Sequence, residues 1–91
     1  MFSIVYTASY ESKAKKFLSK HPELKAQYIK TLKLLELNPY HPSLRLHKVD
    51  LNGREVCSIS INISYRITMD FYIDEEEIIP INIGDHDSVY E

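Results

Sequence analysis

Groups able to transfer protons lie close together at the end of the sequence. Residues 84–91 read GDHDSVYE, so His86 is flanked by two aspartates and precedes Tyr90 by four positions. Histidine is the only side chain whose ordinary pKa lies near neutrality, which suits it to general acid–base catalysis. The apolar segment 78–83 predicts a buried strand that delivers these groups to the edge of a sheet. A solvated polar terminus would give the same pattern.

A metal site at this position is a second interpretation of the same residues. Imidazole and carboxylate groups both bind divalent metals, and His86 stands between Asp85 and Asp87. If the strand continues through these residues, however, adjacent side chains point in opposite directions. We therefore predict no metal site and no cofactor.

The elements that must position these groups are predicted in the order β-α-α-β-β-β-β. The first strand is 2–6, and two helices follow over 9–20 and 22–37, separated by His21-Pro22 and ended by Asn38-Pro39. Alternating apolar and polar residues predict four more strands, at about 44–47, 57–62, 65–71 and 78–83. This order is typical of an α+β domain in which an N-terminal helical hairpin packs on one face of a largely antiparallel sheet.

The predicted strands divide their side chains between two faces. The alternation puts an apolar set under the helices and a polar set on the reverse face. The polar set is Arg45, His47, Ser58, Ser60, Arg66 and Thr68, joined by His86 and Tyr90. Arg66 could hold a phosphate through two parallel hydrogen bonds, which lysine cannot do. The face is therefore either a shallow phosphate site or an ordinary solvated surface, and the pattern alone leaves both open.

Length and composition describe one ordinary globular domain, residues 1–91. Hydrophobic residues make up 44% and charged residues 26% of the chain, which excludes general disorder. No apolar run approaches the ~20 residues of a membrane span, so no membrane association is predicted. Residues 1–6 do not read as a signal peptide. The lone Cys57 excludes an internal disulfide, which favours a reduced, cytoplasmic protein.

The net charge of −2 conceals an asymmetry along the chain. Residues 1–48 hold nine Lys/Arg and three Asp/Glu, a net +6, whereas residues 49–91 hold two and ten, a net −8. One reading is a lysine-rich helical surface and a separate acidic turn; the other is a basic side that meets an anion such as nucleic acid. The overall charge argues against a general nucleic-acid binder but allows a focused site.

The chain resembles the RelE/ParE superfamily of bacterial toxins from type II toxin–antitoxin modules. The residues that carry the resemblance are Asn38-Pro39, the segment 41–49 (HPSLRLHKV), Tyr65-Arg66-Ile67, and the segment 83–90 (IGDHDSVY). Their order and spacing cover nearly the whole chain. The ending is similar to the RelE/YafQ-like branch of mRNA interferases, whose members often finish with a Gly-x-His-x-x-x-Tyr/Phe pattern.

The resemblance implies a cofactor-free endoribonuclease that cuts mRNA on the ribosome and is neutralised by a cognate antitoxin. The ribose 2′-OH would attack the adjacent phosphate and the 5′-oxygen would leave. By motif position, His86 is the leading acid–base candidate, Arg66 stabilises the phosphate, and Tyr90 stacks on or orients the substrate. His47 is expected to be the second proton-transfer group. Lys48, Arg45, Ser58 and Ser60 are expected to contact the substrate.

Two departures from the RelE pattern bear on this expectation. Positions that hold lysines in RelE-type toxins hold Ser58 and Ser60 here, and serines are poor general bases at neutral pH. A mechanism driven by histidines is therefore expected. The net charge is also low for a protein that enters the ribosome, which keeps two alternatives open: a ParE-like poison of DNA gyrase, and a catalytically weak member that only binds its antitoxin.

Overall fold

A computed structural model describes residues 1–90, except for the side chain of Ser88; Glu91, the last residue of the predicted domain, lies outside the described residues. Its strands are β1 (Ser3–Ile4), β2 (His47–Leu51), β3 (Arg54–Ser60), β4 (Tyr65–Tyr72) and β5 (Glu77–Asp85). Its α-helices are α1 (Ala8–Lys20), α2 (Lys25–Leu37) and α3 (His86–Tyr90), and short 3₁₀ turns cover Pro22–Leu24 and Pro42–Leu44. The predicted α+β class and the order of its first seven elements are confirmed.

The five strands form one sheet in the order β1-β5-β4-β3-β2. Only the β1–β5 pair is parallel, and the other neighbours are antiparallel. The β2–β3 hairpin turns at Asn52 and Gly53, whose φ angles of 53° and 85° are those that a two-residue hairpin turn requires. The Asp50 carboxylate accepts a hydrogen bond from the Gly53 N–H at 2.7 Å and closes this turn.

The helical hairpin packs on one face of the sheet and forms the core with it. The Thr7 hydroxyl accepts a hydrogen bond from the Tyr10 N–H at 3.1 Å and caps the start of α1. Both long helices then bury an apolar stripe against alternate residues of the central strands. The buried core includes Tyr10, Phe17, Leu35, Ile59, Ile67, Met69 and Ile78. Within residues 1–90, every helix is too short or too polar to cross a membrane.

The strand predicted at residues 44–47 begins later than expected. Pro42–Leu44 form a 3₁₀ turn, in which proline supplies the first position, and β2 starts only at His47. Between them Arg45 has a left-handed backbone with φ of 51°. The prediction that the Arg45 side chain lies beside His47 on one face of a strand is therefore wrong, because the two residues do not share a strand.

The sequence had suggested that the polar face of the sheet is open to solvent. In the structure a short helix covers part of this face. Residues 86–90 turn from β5 into α3, which contacts β4 and β5. Val89 is only 1% exposed, and Val56, Ser58 and Thr68 on the same side of the sheet are also buried. The tail folds back because Val89 and Val56 are apolar side chains that would otherwise lie in water.

The hydroxyls of Tyr10 and Tyr28 form a buried hydrogen bond of 3.0 Å under the hairpin. Burial is the main cause that raises the pKa of Tyr10, and the neighbouring Tyr28 adds to the effect. Burial likewise raises the pKa of Tyr28. The folded protein thus keeps both phenols protonated at pH values where an unfolded chain ionises them.

We therefore expect the free energy of unfolding to fall above about pH 10, the ordinary pKa of tyrosine. In this range the unfolded state has lost protons that the native state retains, so each step up in pH favours unfolding. Tyr10→Phe should make the decline shallower by up to about 1.4 kcal/mol per pH unit. Urea unfolding between about pH 8 and 11 measures the slope. Tyr72→Phe, at an exposed tyrosine, is the matched control, and an equal slope in both variants would contradict the assignment.

Candidate active site

A cavity of about 370 Å³ opens on the face of the sheet opposite the helical hairpin. β2, β4 and α3 contribute its walls. The lining residues are His47, Val49, Asp50, Leu51, Arg66, His86 and Tyr90. It thus brings together the four side chains for which the sequence predicted catalytic roles, although they come from three separate elements.

Arg66 is the fixed cation of this cavity. It lies on β4 between Ser60 of β3 and Gly84 of β5. Its Nε donates a hydrogen bond to the Ser58 hydroxyl at 2.8 Å, and its Nη2 donates to the Arg45 carbonyl at 3.5 Å. Among residues 1–90 the guanidinium forms no ion pair with a carboxylate, so its charge is available to an anion in the cavity.

The ring of His47 is oriented by the chain just before it. Its Nδ1 lies 2.9 Å from the Arg45 carbonyl and 3.2 Å from Nη2 of Arg66. The carbonyl can only accept and the guanidinium can only donate, so Nδ1 cannot satisfy both partners at once. We assign the N–H to Nδ1 on the shorter contact. In the neutral ring, Nε2 then carries the lone pair that can take up a proton.

Helix α3 places His86 and Tyr90 on one side, because residues four apart in a helix are neighbours. Their rings meet edge to face, with centroids 4.4 Å apart and planes at 78°. The His86 side chain is 77% exposed, and its Nδ1 lies 3.7 Å from the Asp87 carboxylate. The sequence analysis ended the last strand at residue 83 and predicted no helix after it, and the helix is what brings the two rings together.

Ser58, for which the sequence predicted a substrate contact, is fully buried. Its hydroxyl accepts the hydrogen bond from Arg66 Nε and lies 2.8 Å from the Tyr90 hydroxyl. It therefore connects the cation of β4 to the last residue of α3. Ser60 is also buried, and its hydroxyl donates to the Asn62 carbonyl at 2.6 Å. In this structure both hydroxyls hold protein groups, and the predicted contact of Ser58 and Ser60 with a substrate stays a prediction.

The side chains of Lys48 and Arg45, which were predicted to contact the substrate, do not line the cavity. Lys48 alternates with His47 along β2 and forms an exposed ion pair with Glu55 at 3.7 Å. Arg45 takes part through its backbone carbonyl, as described above, and its side chain does not line the cavity.

The sequence analysis missed Val49, Asp50 and Leu51 as wall residues. For Val49 and Leu51 the signal was available, since they follow His47 at the two-residue period of a strand. No group of three or more potential metal ligands occurs within residues 1–90.

Comparisons with known proteins agree at the level of structure. No family model and no curated protein matches the sequence. A metal-bound toxin from Helicobacter pylori superposes with a TM-score of 0.76 at 14% identity, covering 99% of this chain and 100% of that one. YafQ from E. coli strain BL21(DE3) gives 0.77 at 11% identity, with both chains covered completely. A chain of the heterotetrameric YoeB–YefM toxin–antitoxin complex from Staphylococcus aureus gives 0.67 at 16%, covering 94% of this chain and 98% of that one.

This chain has the fold of the RelE-superfamily toxins. The resemblance seen in the sequence motifs is thereby confirmed for the architecture, over nearly the full length of each compared chain. At 11–16% identity the comparisons carry the RelE-like fold alone.

The connection through Ser58 predicts a measurable coupling between β3 and α3. Ser58→Ala removes the partner of both Arg66 and Tyr90, and Tyr90→Phe removes only the phenol hydroxyl. Each change should lower the free energy of unfolding by about 1 kcal/mol. Because both changes break the same hydrogen bond, the double variant should lose less than their sum, by about 0.5–1.5 kcal/mol. Urea unfolding of the four proteins measures this difference.

Ser64→Ala is the control for this cycle, because Ser64 is an exposed serine of the β3–β4 connection. Its effect should stay within about 0.5 kcal/mol. Strictly additive effects of Ser58→Ala and Tyr90→Phe would show that the two hydroxyls do not form this hydrogen bond in solution.

Proposed function

We propose that this protein is the toxin of a toxin–antitoxin module and an endoribonuclease that cleaves mRNA on the ribosome in the cytoplasm. The observation that carries the proposal is the placement of Arg66 in a cavity that two histidines also line. A fixed cation between two proton-transfer groups is what cleavage of a ribose phosphate needs. The RelE-like fold supports the proposal by analogy only.

In the proposed reaction His47 acts as the base. Nε2 of the neutral ring takes the proton of the ribose 2′-OH, while the N–H at Nδ1 stays on the Arg45 carbonyl. The 2′-oxygen then forms a bond to the adjacent phosphorus. General base catalysis by a positioned histidine contributes about 10²–10⁴-fold.

His86 acts as the acid in the same scheme. Its imidazolium gives a proton to the departing 5′-oxygen as the bond from phosphorus to that oxygen breaks. The products are a 2′,3′-cyclic phosphate and a free 5′-hydroxyl, and no metal or cofactor takes part. The exposed ring can exchange protons with solvent between turnovers, and its Nδ1 lies 3.7 Å from the Asp87 carboxylate.

Arg66 stabilises the negative charge that develops on the phosphorane oxygens. Its guanidinium is already oriented by Ser58 and the Arg45 carbonyl, so little reorganisation is needed during the reaction. Tyr90 holds the His86 ring edge to face while its own hydroxyl is held by Ser58. We therefore assign Ser58 as a positioning residue and Tyr90 as a residue that orients His86 and the substrate.

A protein antitoxin is the expected partner. One chain of the YoeB–YefM toxin–antitoxin complex and one chain of the DinJ–YafQ toxin–antitoxin complex share this fold. On this chain Tyr40, Tyr72 and Ile73 are exposed apolar side chains, and such groups favour a protein contact. Neutralisation by an antitoxin would explain how a cell tolerates the active chain.

Induced expression of His86→Ala tests the proposal. The wild type should arrest growth and produce new mRNA 5′ ends within translated messages, and His86→Ala should lose both effects because the leaving oxygen is no longer protonated. Growth curves together with transcriptome-wide mapping of 5′ ends measure this. His41→Ala is the matched control, since His41 is an exposed histidine of a turn and does not line the cavity.

Three results would contradict this function in different ways. Cleavage that persists in His86→Ala would remove His86 from the mechanism. Growth arrest with intact mRNA and DNA-damage signalling would favour a ParE-like gyrase poison. Expression of the wild type without growth arrest would favour a protein that only binds its antitoxin.

Arg66→Lys tests the role of the guanidinium separately from its charge. Lysine keeps the positive charge but cannot form two parallel hydrogen bonds to a phosphate, nor reach Ser58 in the same way. The rate of mRNA cleavage in a purified translation system should fall by about 10²–10³-fold. Arg54→Lys, at an arginine that pairs with Asp70 on the same sheet, should cleave at the wild-type rate. Equal rates for Arg66→Lys and wild type would exclude a two-point phosphate contact.

A further inference from the structure

A second and larger cavity, of about 490 Å³, lies between α1 and the ends of β4 and β5. We call it the lysine cleft. It is lined by Lys13, Lys16, Phe17, Lys20, His21, Tyr65, Asn82, Ile83, Gly84 and Asp85. None of these residues has a role in the reaction proposed above. The three lysines face a single carboxylate among the lining residues, so the cleft attracts anions.

The lysines form one stripe because they are spaced three and four residues apart along α1. Lys13 is anchored at the floor, where its Nζ donates a hydrogen bond to the Ile81 carbonyl at 3.3 Å. That carbonyl is accessible because the pairing of β4 with β5 shifts at this point and leaves Ile81 as the extra residue of a bulge. Lys16 and Lys20 are exposed, and they are the cations left for a ligand.

An aromatic wall completes the lysine cleft. The rings of Phe17, His21 and Tyr65 contact one another, with centroid distances of 4.7 Å, 5.1 Å and 4.8 Å. Phe17 is buried and supports the other two rings, which remain partly exposed. Aromatic faces beside a basic groove are the combination that binds single-stranded nucleic acid, because every base can stack and every phosphate is charged.

The lysine cleft and the candidate active site meet at the same end of the sheet. Tyr65 and Arg66 are consecutive on β4, so their side chains point to opposite faces. Arg66 pairs with Gly84, and Tyr65 pairs with Asp85, which directly precedes His86. Gly84 and Asp85 line the lysine cleft and His86 lines the candidate active site, so the two cavities adjoin at this end of β5.

We propose that the lysine cleft binds a further nucleotide of the same RNA strand that is cleaved in the candidate active site. Its base stacks against His21 and Tyr65, and its phosphate lies between Lys16 and Lys20. The inference rests on the proposed ribonuclease function and adds a binding site on the other face of the sheet. It gives a purpose to the positive charge of the first half of the chain, most of which lies on the helices.

Binding of a single-stranded RNA tests this site independently of cleavage. The probe is a fluorescein-labelled RNA of roughly a dozen nucleotides with mixed sequence, and its 2′-O-methyl riboses cannot attack the phosphate. Lys16→Glu combined with Lys20→Glu should weaken binding at least about tenfold. Because the one phosphate between these lysines is no longer neutralised, the magnitude of the slope of log K against log salt should fall by about 0.7. Fluorescence anisotropy at several salt concentrations measures both quantities.

The control combines Lys15→Glu with Lys33→Glu, which changes the net charge equally at exposed lysines outside the lysine cleft. It should bind RNA within about threefold of the wild type, because screening limits the effect of distant charges. His21→Ala removes a stacking ring and should weaken binding by about tenfold at every salt concentration. Thermal unfolding followed by circular dichroism confirms that all variants are folded.

The outcomes separate this inference from the proposed function. If the two double variants lose affinity equally, the effect is general charge and the lysine cleft is not a site. If the cleft variants bind RNA like the wild type while the wild type still cleaves mRNA, only the inference is overturned. If the cleft variants lose affinity for a purified antitoxin but not for RNA, the cleft is a protein-docking site instead. A wild type that neither binds RNA nor cleaves mRNA overturns both proposals.

Discussion

One buried hydroxyl determines how the candidate active site is assembled. Ser58 has a single oxygen, and that oxygen contacts both the Nε of Arg66 and the hydroxyl of Tyr90. Arg66 of β4 and Tyr90 of α3 therefore share one hydrogen-bond partner. A polar group buried this deeply has to be satisfied by the protein itself, because water cannot reach it. The geometry of the cavity therefore depends on an atom that no ligand touches.

The arrangement also explains why a small domain can keep an arginine half-buried. Arg66 is surrounded by neutral acceptors, the Ser58 hydroxyl and the Arg45 carbonyl, instead of a carboxylate. An ion pair would have neutralised the charge and competed with an anionic ligand. Neutral acceptors fix the direction of the guanidinium and leave its charge uncompensated. The left-handed turn at Arg45 matters for this reason, since it directs the carbonyl toward the cavity.

The sequence was sufficient to predict the sheet, the hairpin and the faces of the central strands. Alternation over β3 and β4 is long enough to show which residues point away from the helices, and it correctly placed Arg66 opposite Ile67. The Asn52-Gly53 signal specified a hairpin turn that the backbone angles bear out. These features depend on local patterns, which a single sequence contains.

Features that depend on tertiary contacts could not be predicted in the same way. Residues 86–90 are too few to show a helical period, and Val89 gives no sign from sequence alone of where it will be buried. Ser58 and Ser60 looked like exposed polar residues because alternation reports the face of a strand and not what covers that face. The strand predicted at residues 44–47 was started too early, because Pro42–Leu44 form a 3₁₀ turn.

Helix α3 is five residues long, far below the roughly 12–15 residues at which an isolated helix becomes even marginally stable in water. It persists only through its contacts with the sheet, so it is the part of the fold most easily detached without global unfolding. His86 and Tyr90 are therefore in place only for the fraction of time that the helix is docked. The docking equilibrium of α3 then sets the temperature range over which the site is assembled. The upper limit of that range can lie well below the melting temperature of the domain.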